Sequence, residues 1–376
     1  MNISHKRLPD GRYFISYDFP KDTDWRVESG RSPDPLKSPQ VGTDGSSELR
    51  WNPLLGEWTG TASFRQNRTF LPPADFCPFC TGANSEGEVP VDTYDVAVLE
   101  NRFPSLQPSA GKPSVEGSTL YPVQPSRGVC EVLLYTSDHN TSLAQASLEQ
   151  IYKLVLVWAS RYRELSKLDF VKYVFIFENK GEAIGVTLHH PHGQLYAYPF
   201  CPPRILRELE QSRRHQRETG SCLLCDLLSH EVQDGRRIIH SNASFTAYIP
   251  FAARWPYEVH IVARRHFQSF NGMTGTEEMD LAAMMKTVLA AYDRLFALPF
   301  PYMMVIHQEP TDGANYDYYH FHVEFYPPLR TANRLKYLAG SETGAGFFVN
   351  DSLPEARAAE LGALINPVRW QKTDPI

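Results

Sequence analysis

One pattern of cysteines and histidines occurs twice in this 376-residue chain, in the same order and at nearly the same intervals. The first copy has a C-x-x-C pair at Cys77 and Cys80, then His139 closing EVLLYTSDH, then an H-x-H at His190 and His192. The second has Cys222 and Cys225, His266 closing EVHIVARRH, and an H-x-H at His320 and His322. Both nine-residue segments open with Glu-Val and end in His. The H-x-H follows that histidine by 51 residues in one copy and 54 in the other. A long helical stretch and an apolar strand lie inside each interval, so the chain reads as one unit built twice. Any fold proposed for it must satisfy both copies.

A C-x-x-C pair provides two ligands, whereas a closed structural zinc site needs four. The repeat supplies the others and predicts two Zn2+ sites: Cys77, Cys80, His139 and His190, and Cys222, Cys225, His266 and His320. A thioredoxin-like redox centre would place C-x-x-C at a helix start just after a strand, but Cys77 follows the loop LPPADF. Cys130 and Cys201 stand alone and read as core residues. His215, His240, His260 and His307, taken singly, read as satisfied core or surface residues.

A net charge of −6 argues against a nucleic-acid coat, and 42% hydrophobic with 21% charged residues excludes wholesale disorder. No apolar run reaches the roughly 18 residues of a membrane span, and MNISHKRLPDGRYF lacks the apolar core of a signal peptide. The expectation is a cytoplasmic protein with no membrane and no nucleic-acid partner. No GxGxxG or GxxxxGK[ST] phosphate loop occurs.

Residues 1–50 read as an arm or loop with one strand near 12–17. Strand, turn and strand follow over 51–68, then a strand near 96–99 and a long Pro/Ser/Gly loop over 104–127, a length typical of lids. Apolar residues at Ile151, Leu154, Val155, Trp158 and Leu165 have helical period over 148–167. A short strand over 173–177 ends in a polar turn, Glu178 to Gly181. A charged helix over 204–217 bridges the halves. The second half repeats the order, with strands near 245–249, 259–262, 302–307 and 320–326 and a helix over 277–295. Hairpin strands with helices in blocks predict an α+β fold on antiparallel sheets with packed helices. The units are expected at 1–200 and 201–376.

Side chains alternate along a strand, so His190, His192 and Gln194 of HHPHGQ share a face if that segment is extended. One histidine can then hold metal while the other is displayed to a substrate. A neutral imidazole is a competent nucleophile toward phosphorus, and Gly193 lets a phosphate approach the backbone.

This segment, preceded by FENKGEAIG, resembles the active-site strand of galactose-1-phosphate uridylyltransferases in the histidine-triad superfamily, and the likeness covers most of the chain. RWNPLLGEW with Arg65 and Arg68, CPFC, ENRFP, SDH and FYPPLR followed by Lys336 resemble further family segments. The resemblance implies a duplicated histidine-triad-like unit and a homodimer with shared sites. It also implies ping-pong transfer: His192 takes UMP from UDP-glucose, releases glucose 1-phosphate, and passes UMP to galactose 1-phosphate. Gln194 would donate a hydrogen bond to the phosphoryl oxygens. Arg65 and Arg68 would pair with phosphates, whereas Asn101, Asn179 and Thr187 would contact nucleotide or phosphate. Lys336 and Glu342 would reach the hexose, in the partner subunit's site. Thr187 stands where many members carry serine, and Phe348 falls near a hexose-contacting glutamine of others. Some members bind their second metal through a glutamate and three histidines. Glu208, His307 and His322 match three of these positions, but Glu324 replaces the last histidine, so the cysteine quartet is preferred.

Two other functions fit the same motifs. An ADP-glucose phosphorylase or related adenylyl transferase uses a similar strand, and spacing does not separate uracil from adenine. A zinc-stabilised adaptor without catalysis would need a basic, aromatic surface stripe, and it leaves His192 and Gln194 without a role.

Overall fold

The computed structural model describes residues 1–20, 47–67, 77–80 and 87–370. Its main element is a sheet of eleven strands. In chain order the first half contributes β1 (Asn2–Arg7), β2 (Tyr13–Asp18), β5 (Val96–Glu100), β7 (Val129–Leu134), β8 (Tyr173–Lys180) and β9 (His192–Tyr198). The second half adds β10 (Ile238–Ser241), β11 (Phe245–Tyr248), β12 (Val259–Ala263), β13 (Tyr302–His307) and β14 (His322–Tyr326). A separate three-stranded sheet holds β3 (Glu48–Asn52), β4 (Glu57–Thr61) and β6 (Val123–Pro125).

The order across the large sheet is β1-β2-β5-β7-β9-β8-β13-β14-β12-β11-β10, and each of its strand pairings is antiparallel. Its centre is a palindrome. β7-β9-β8 in one half meets β13-β14-β12 in the other, joined where β8 pairs with β13. The duplication in the sequence is therefore a two-fold pseudosymmetry within a single sheet.

Helix α1 (Leu148–Leu165) and its counterpart α4 (Gly275–Leu295) pack on each other and cover one face of this sheet. Both starts are specified locally. Ser147 caps α1 by accepting from the Gln150 amide, and Thr274 with Glu277 forms a capping box on α4. Alternation decides what each strand residue meets. Leu133, Ile176 and Leu195 join the core under the helices, whereas Val132 and Leu134 face the opposite side with Phe79 and Leu99. α2 (Pro203–Thr219), α3 (Leu223–Asp234) and α5 (Pro354–Gly362) complete the α-helices among the described residues. None of the described helices is long and apolar enough to cross a membrane.

Two local expectations are corrected. Residues 2–18, read as an arm with one strand, form a hairpin that extends the sheet. β1 is an edge strand with polar, exposed side chains, so it carries little apolar alternation to detect. The polar run Glu178 to Lys180 is the end of β8, paired with Tyr302, Met303 and Met304 of β13, and not a turn. Polar side chains there reflect one face turned to a cavity and the other to a buried polar cluster.

The repeated Glu-Val begins with a buried charge in each half. Glu131 is fully buried and accepts from the Arg161 guanidinium at 2.5 and 3.0 Å and from Tyr13 Oη at 2.6 Å. Glu258 accepts from the backbone amides of Arg254 and Trp255 and from His260. Removing one partner of a buried pair leaves an uncompensated charge, at a cost of about 3–5 kcal/mol. Arg161→Met is accordingly expected to lower unfolding free energy by about that amount in urea titrations, whereas Arg214→Met on the exposed side of α2 leaves the midpoint in place.

Candidate active site and metal centres

The cavity that meets the sheet's uncovered face has a volume of about 780 Å3. His192 and Gln194 of β9 line it with Asn179 of β8, Thr187 of the intervening loop, Arg65 and Asn101. Six of the residues singled out in the sequence therefore converge on one space. Arg68 lies outside the described residues. Lys336 and Glu342 do not line this cavity. The Lys336 ammonium is buried against the Glu342 carboxylate at 3.3 Å and the Val349 carbonyl, within the C-terminal segment.

The orientation of His192 follows from its neighbours. Its Nδ1 lies 2.8 Å from the His190 carbonyl oxygen, which can only accept, so the proton sits on Nδ1 and Nε2 keeps its lone pair. Phe79, inside the first C-x-x-C, meets the His192 ring edge-on at 5.5 Å and the His190 ring at 6.2 Å. Gln194 is oriented by Tyr196, whose hydroxyl donates to Gln194 Oε1 at 3.2 Å, leaving the amide NH2 as the free end. Arg65 donates to the Phe103 carbonyl at 2.8 Å, which anchors the guanidinium beside ENRFP. Asn101 Oδ1 accepts from the Phe103 amide at 2.8 Å and shapes the same loop.

The sequence reading missed Phe79, Glu88, Arg102, Phe103, Phe177 and Tyr196, which also line the cavity. Alternation could have found two of them. Phe177 stands two residues before Asn179 and Tyr196 two after Gln194, on the same faces. The others come from loops, where period gives no signal.

Both cysteine quartets assemble. Cys77, Cys80, His139 and His190 form one cluster, and Cys222, Cys225, His266 and His320 form another. In the first, Cys80 Sγ is 3.3 Å from His139 Nδ1 and 3.7 Å from His190 Nδ1. In the second, Cys225 Sγ is 3.6 Å from His266 Nδ1 and 3.3 Å from His320 Nδ1, and the two Nδ1 atoms are 3.3 Å apart. Ligands of a tetrahedral zinc, with bonds of about 2.0–2.1 Å to nitrogen and 2.3 Å to sulfur, stand roughly 3.3–3.6 Å apart. The donors fit. Each of these histidines but His139 also offers Nε2 to a backbone carbonyl at 2.8 Å: His190 to Thr136, His266 to Asp317 and His320 to Ala263. That contact fixes the tautomer that presents Nδ1 to a metal. Burial pushes the His190 pKa down to about 4, which keeps this ligand neutral. The second pair begins α3 after a helix and not after a strand, unlike a thioredoxin-like centre. Of the lone cysteines, Cys130 is buried and Cys201 only partly so.

A third cluster joins Glu208, His307, His322 and Glu324, so the alternative second set also comes together. His307 is thus not an isolated core histidine. His260 is next to it, 3.2 Å from Glu324 Oε1.

Gly193 is required between the two site residues. A Cβ there would lie 2.0 Å from Tyr135 Oη and 3.0 Å from the Phe177 carbonyl oxygen. Gly193→Ala must displace Tyr135 or β9, and a misplacement near 1 Å costs about 10²-fold in rate. We expect kcat to fall by about that factor, with partial recovery in Gly193→Ala/Tyr135→Phe, which removes the nearest atom. Recovery absent from steady-state rates would mean that the glycine serves another purpose.

The models of the galactose-1-phosphate uridyl transferase N-terminal and C-terminal domains match residues 39–202 and 208–370. The galactose-1-phosphate uridylyltransferase of Thermotoga maritima is 42% identical over 315 residues, which are 84% of this chain and 97% of that protein. A solved uridylyltransferase structure superposes with a TM-score of 0.74 at 36% identity, covering 84% of this chain and 98% of its own. An ADP-glucose phosphorylase from Arabidopsis thaliana shares the fold, with a TM-score of 0.65 at 23% identity, over 84% of this chain and 98% of its own. With matched models spanning both halves and a relative of this identity along nearly its whole length, the chain belongs to the galactose-1-phosphate uridylyltransferase family.

Proposed function

We propose that this protein transfers UMP from UDP-glucose to galactose 1-phosphate through a covalent uridylyl-His192. The observation that carries the reading is the state of that side chain. His192 stands in the wall of the cavity with Nδ1 held by the His190 carbonyl, beside Gln194, Asn179, Thr187 and Arg65.

In the first half-reaction, the Nε2 lone pair of His192 attacks the α-phosphorus of UDP-glucose. The bond from that phosphorus to the bridging oxygen breaks, and its electron pair leaves with glucose 1-phosphate. Gln194 NH2 and Arg65, with Arg68 as a further expected contact, stabilise the charge on the phosphoryl oxygens. A sugar phosphate leaves as an anion and needs no proton from an acid, so an amide suffices at position 194. In the second half-reaction, a phosphate oxygen of galactose 1-phosphate attacks the same phosphorus. The P–N bond breaks and its electrons return to Nε2. Asn101 and Thr187 are the expected nucleotide and phosphate contacts.

We assign Zn2+ to both cysteine quartets. Bound there, it supplies structural cross-links, and Cys77, Cys80, His139 and His190 would tie the turn bearing Phe79 to the strand bearing His192. Cys80→Ser is expected to halve the zinc found by elemental analysis and to lower kcat together with thermal stability, since Phe79 loses its anchor.

Units at 1–200 and 201–376 and a cytoplasmic homodimer complete the proposal. Lys336 and Glu342 do not line their own chain's cavity, so the hexose contact expected of them is assigned to a site shared across such a dimer. The exposed Phe347 and Val349 beside them suit a partner surface. The uridine choice is supported by family membership, whereas the ADP-glucose phosphorylase supports a likeness of fold. Initial rates test both points. Parallel double-reciprocal lines and faster turnover of UDP-glucose than ADP-glucose are expected, whereas intersecting lines or preference for ADP-glucose overturn the assignment.

A further inference from the structure

The pseudosymmetry gives the transfer site a counterpart. In the first half, Phe177 pairs with Gln194, and in the second, Val305 pairs with Glu324. Counting from these pairs sets His322 in the place of His192, Glu324 in that of Gln194 and His307 in that of Asn179. The likeness extends to the backbone contact. His322 Nδ1 lies 2.8 Å from the His320 carbonyl, as His192 Nδ1 does from that of His190. What differs is the filling. The first site opens on a large cavity, whereas His307, His322 and Glu324 are buried and α2 brings Glu208 across them.

Glu208, His307, His322 and Glu324 resemble the donor set through which some family members bind a metal, but the oxygens of its two carboxylates are already engaged. Glu208 Oε1 accepts from Arg204 Nε at 3.2 Å. Glu208 Oε2 accepts from His307 Nδ1 and Tyr319 Oη, each at 2.8 Å. Glu324 Oε2 accepts from Arg204 Nη2 at 2.6 Å and from the Tyr326 hydroxyl, while Oε1 faces His260 Nε2 at 3.2 Å and His322 Nε2 at 3.6 Å. Each of the four carboxylate oxygens thus faces an N–H or O–H group of the chain. In the cysteine quartets, by contrast, the ligand nitrogens face one another and the sulfurs at tetrahedral spacing. A divalent ion would have to displace a guanidinium that bridges both carboxylates, stacked 5.1 Å over the Tyr326 ring.

We infer that Arg204 is the resident cation of this cluster, standing where a metal ion would otherwise be held, so that the duplicated site is closed to divalent metals. The positive charge then comes from the first turn of α2, the helix that follows β9, and it fastens that helix to β14 of the second half. The number of metals expected rests on assigning the two cysteine quartets to zinc, and the test separates the two ideas.

The test is replacement of bound metal by Co2+, counted by elemental analysis and read by visible absorption. Thiolate-to-cobalt charge transfer reports the cysteine quartets alone, whereas an ion held by carboxylates and imidazoles adds ligand-field bands without it. The wild type is expected to hold two thiolate-bound ions per chain and no other. Arg204→Met is expected to gain one further equivalent without added charge transfer, and Arg204→Met/Glu208→Gln to lose it again. A further equivalent in the wild type that disappears in Glu208→Gln overturns the inference. So does a folded Arg204→Met with no gain. If Arg204→Met does not fold, the wild-type comparison with Glu208→Gln decides alone. Too little charge transfer would instead count against zinc at the cysteines and leave the arginine question to the ligand-field bands.

Discussion

One hydrogen bond organises the proposed chemistry: Nδ1–H of His192 to the carbonyl of His190, at 2.8 Å. It settles the tautomer, and with it which nitrogen has a lone pair for phosphorus. The acceptor is well placed because His190 itself is immobilised at both ring nitrogens, by the Thr136 carbonyl on one side and the cysteine cluster on the other. The supporting structure is thus ordered around a single peptide carbonyl. β7 and β8 flank β9, the C-x-x-C turn brings Phe79 against both rings, and the absent side chain of Gly193 lets Tyr135 close beneath the strand.

Duplication explains why the same arrangement occurs twice with different outcomes. The second H-x-H keeps the strand, the cysteine-bearing cluster and the Nδ1-to-carbonyl contact. Its neighbours, however, are acids and imidazoles where the first copy has amides. A carboxylate at the position of Gln194 would repel a phosphoryl group, and a buried carboxylate requires a cation. One copy opens on a cavity, and the other is buried as an internal ionic cluster. Position 194 against position 324 is the smallest change that states this difference.

Much of the site was legible because repeats and alternation are local signals. The CxxC, His and H-x-H order located eight metal-ligand candidates, and strand alternation placed His192 and Gln194 side by side. What failed was whatever depends on the partner strand or on the far end of the chain. Glu178 to Lys180 read as a turn, since nothing in the segment announces the pairing with β13. β1 has no apolar period because it is an edge. The single sheet shared by both halves was invisible, as two separate sheets satisfy the same pattern. Glu208, some hundred residues from His307, was noticed only through the family resemblance, and the part of Arg204 follows from distances alone.

Whether His192 carries the nucleotide can be read by intact-mass spectrometry with peptide mapping. After brief mixing with UDP-glucose, one uridylyl adduct per chain is expected, mapped to His192, discharged by galactose 1-phosphate and absent from His192→Ala. A wild-type protein that turns over substrate without any adduct, or an adduct on another residue such as His322, would contradict it.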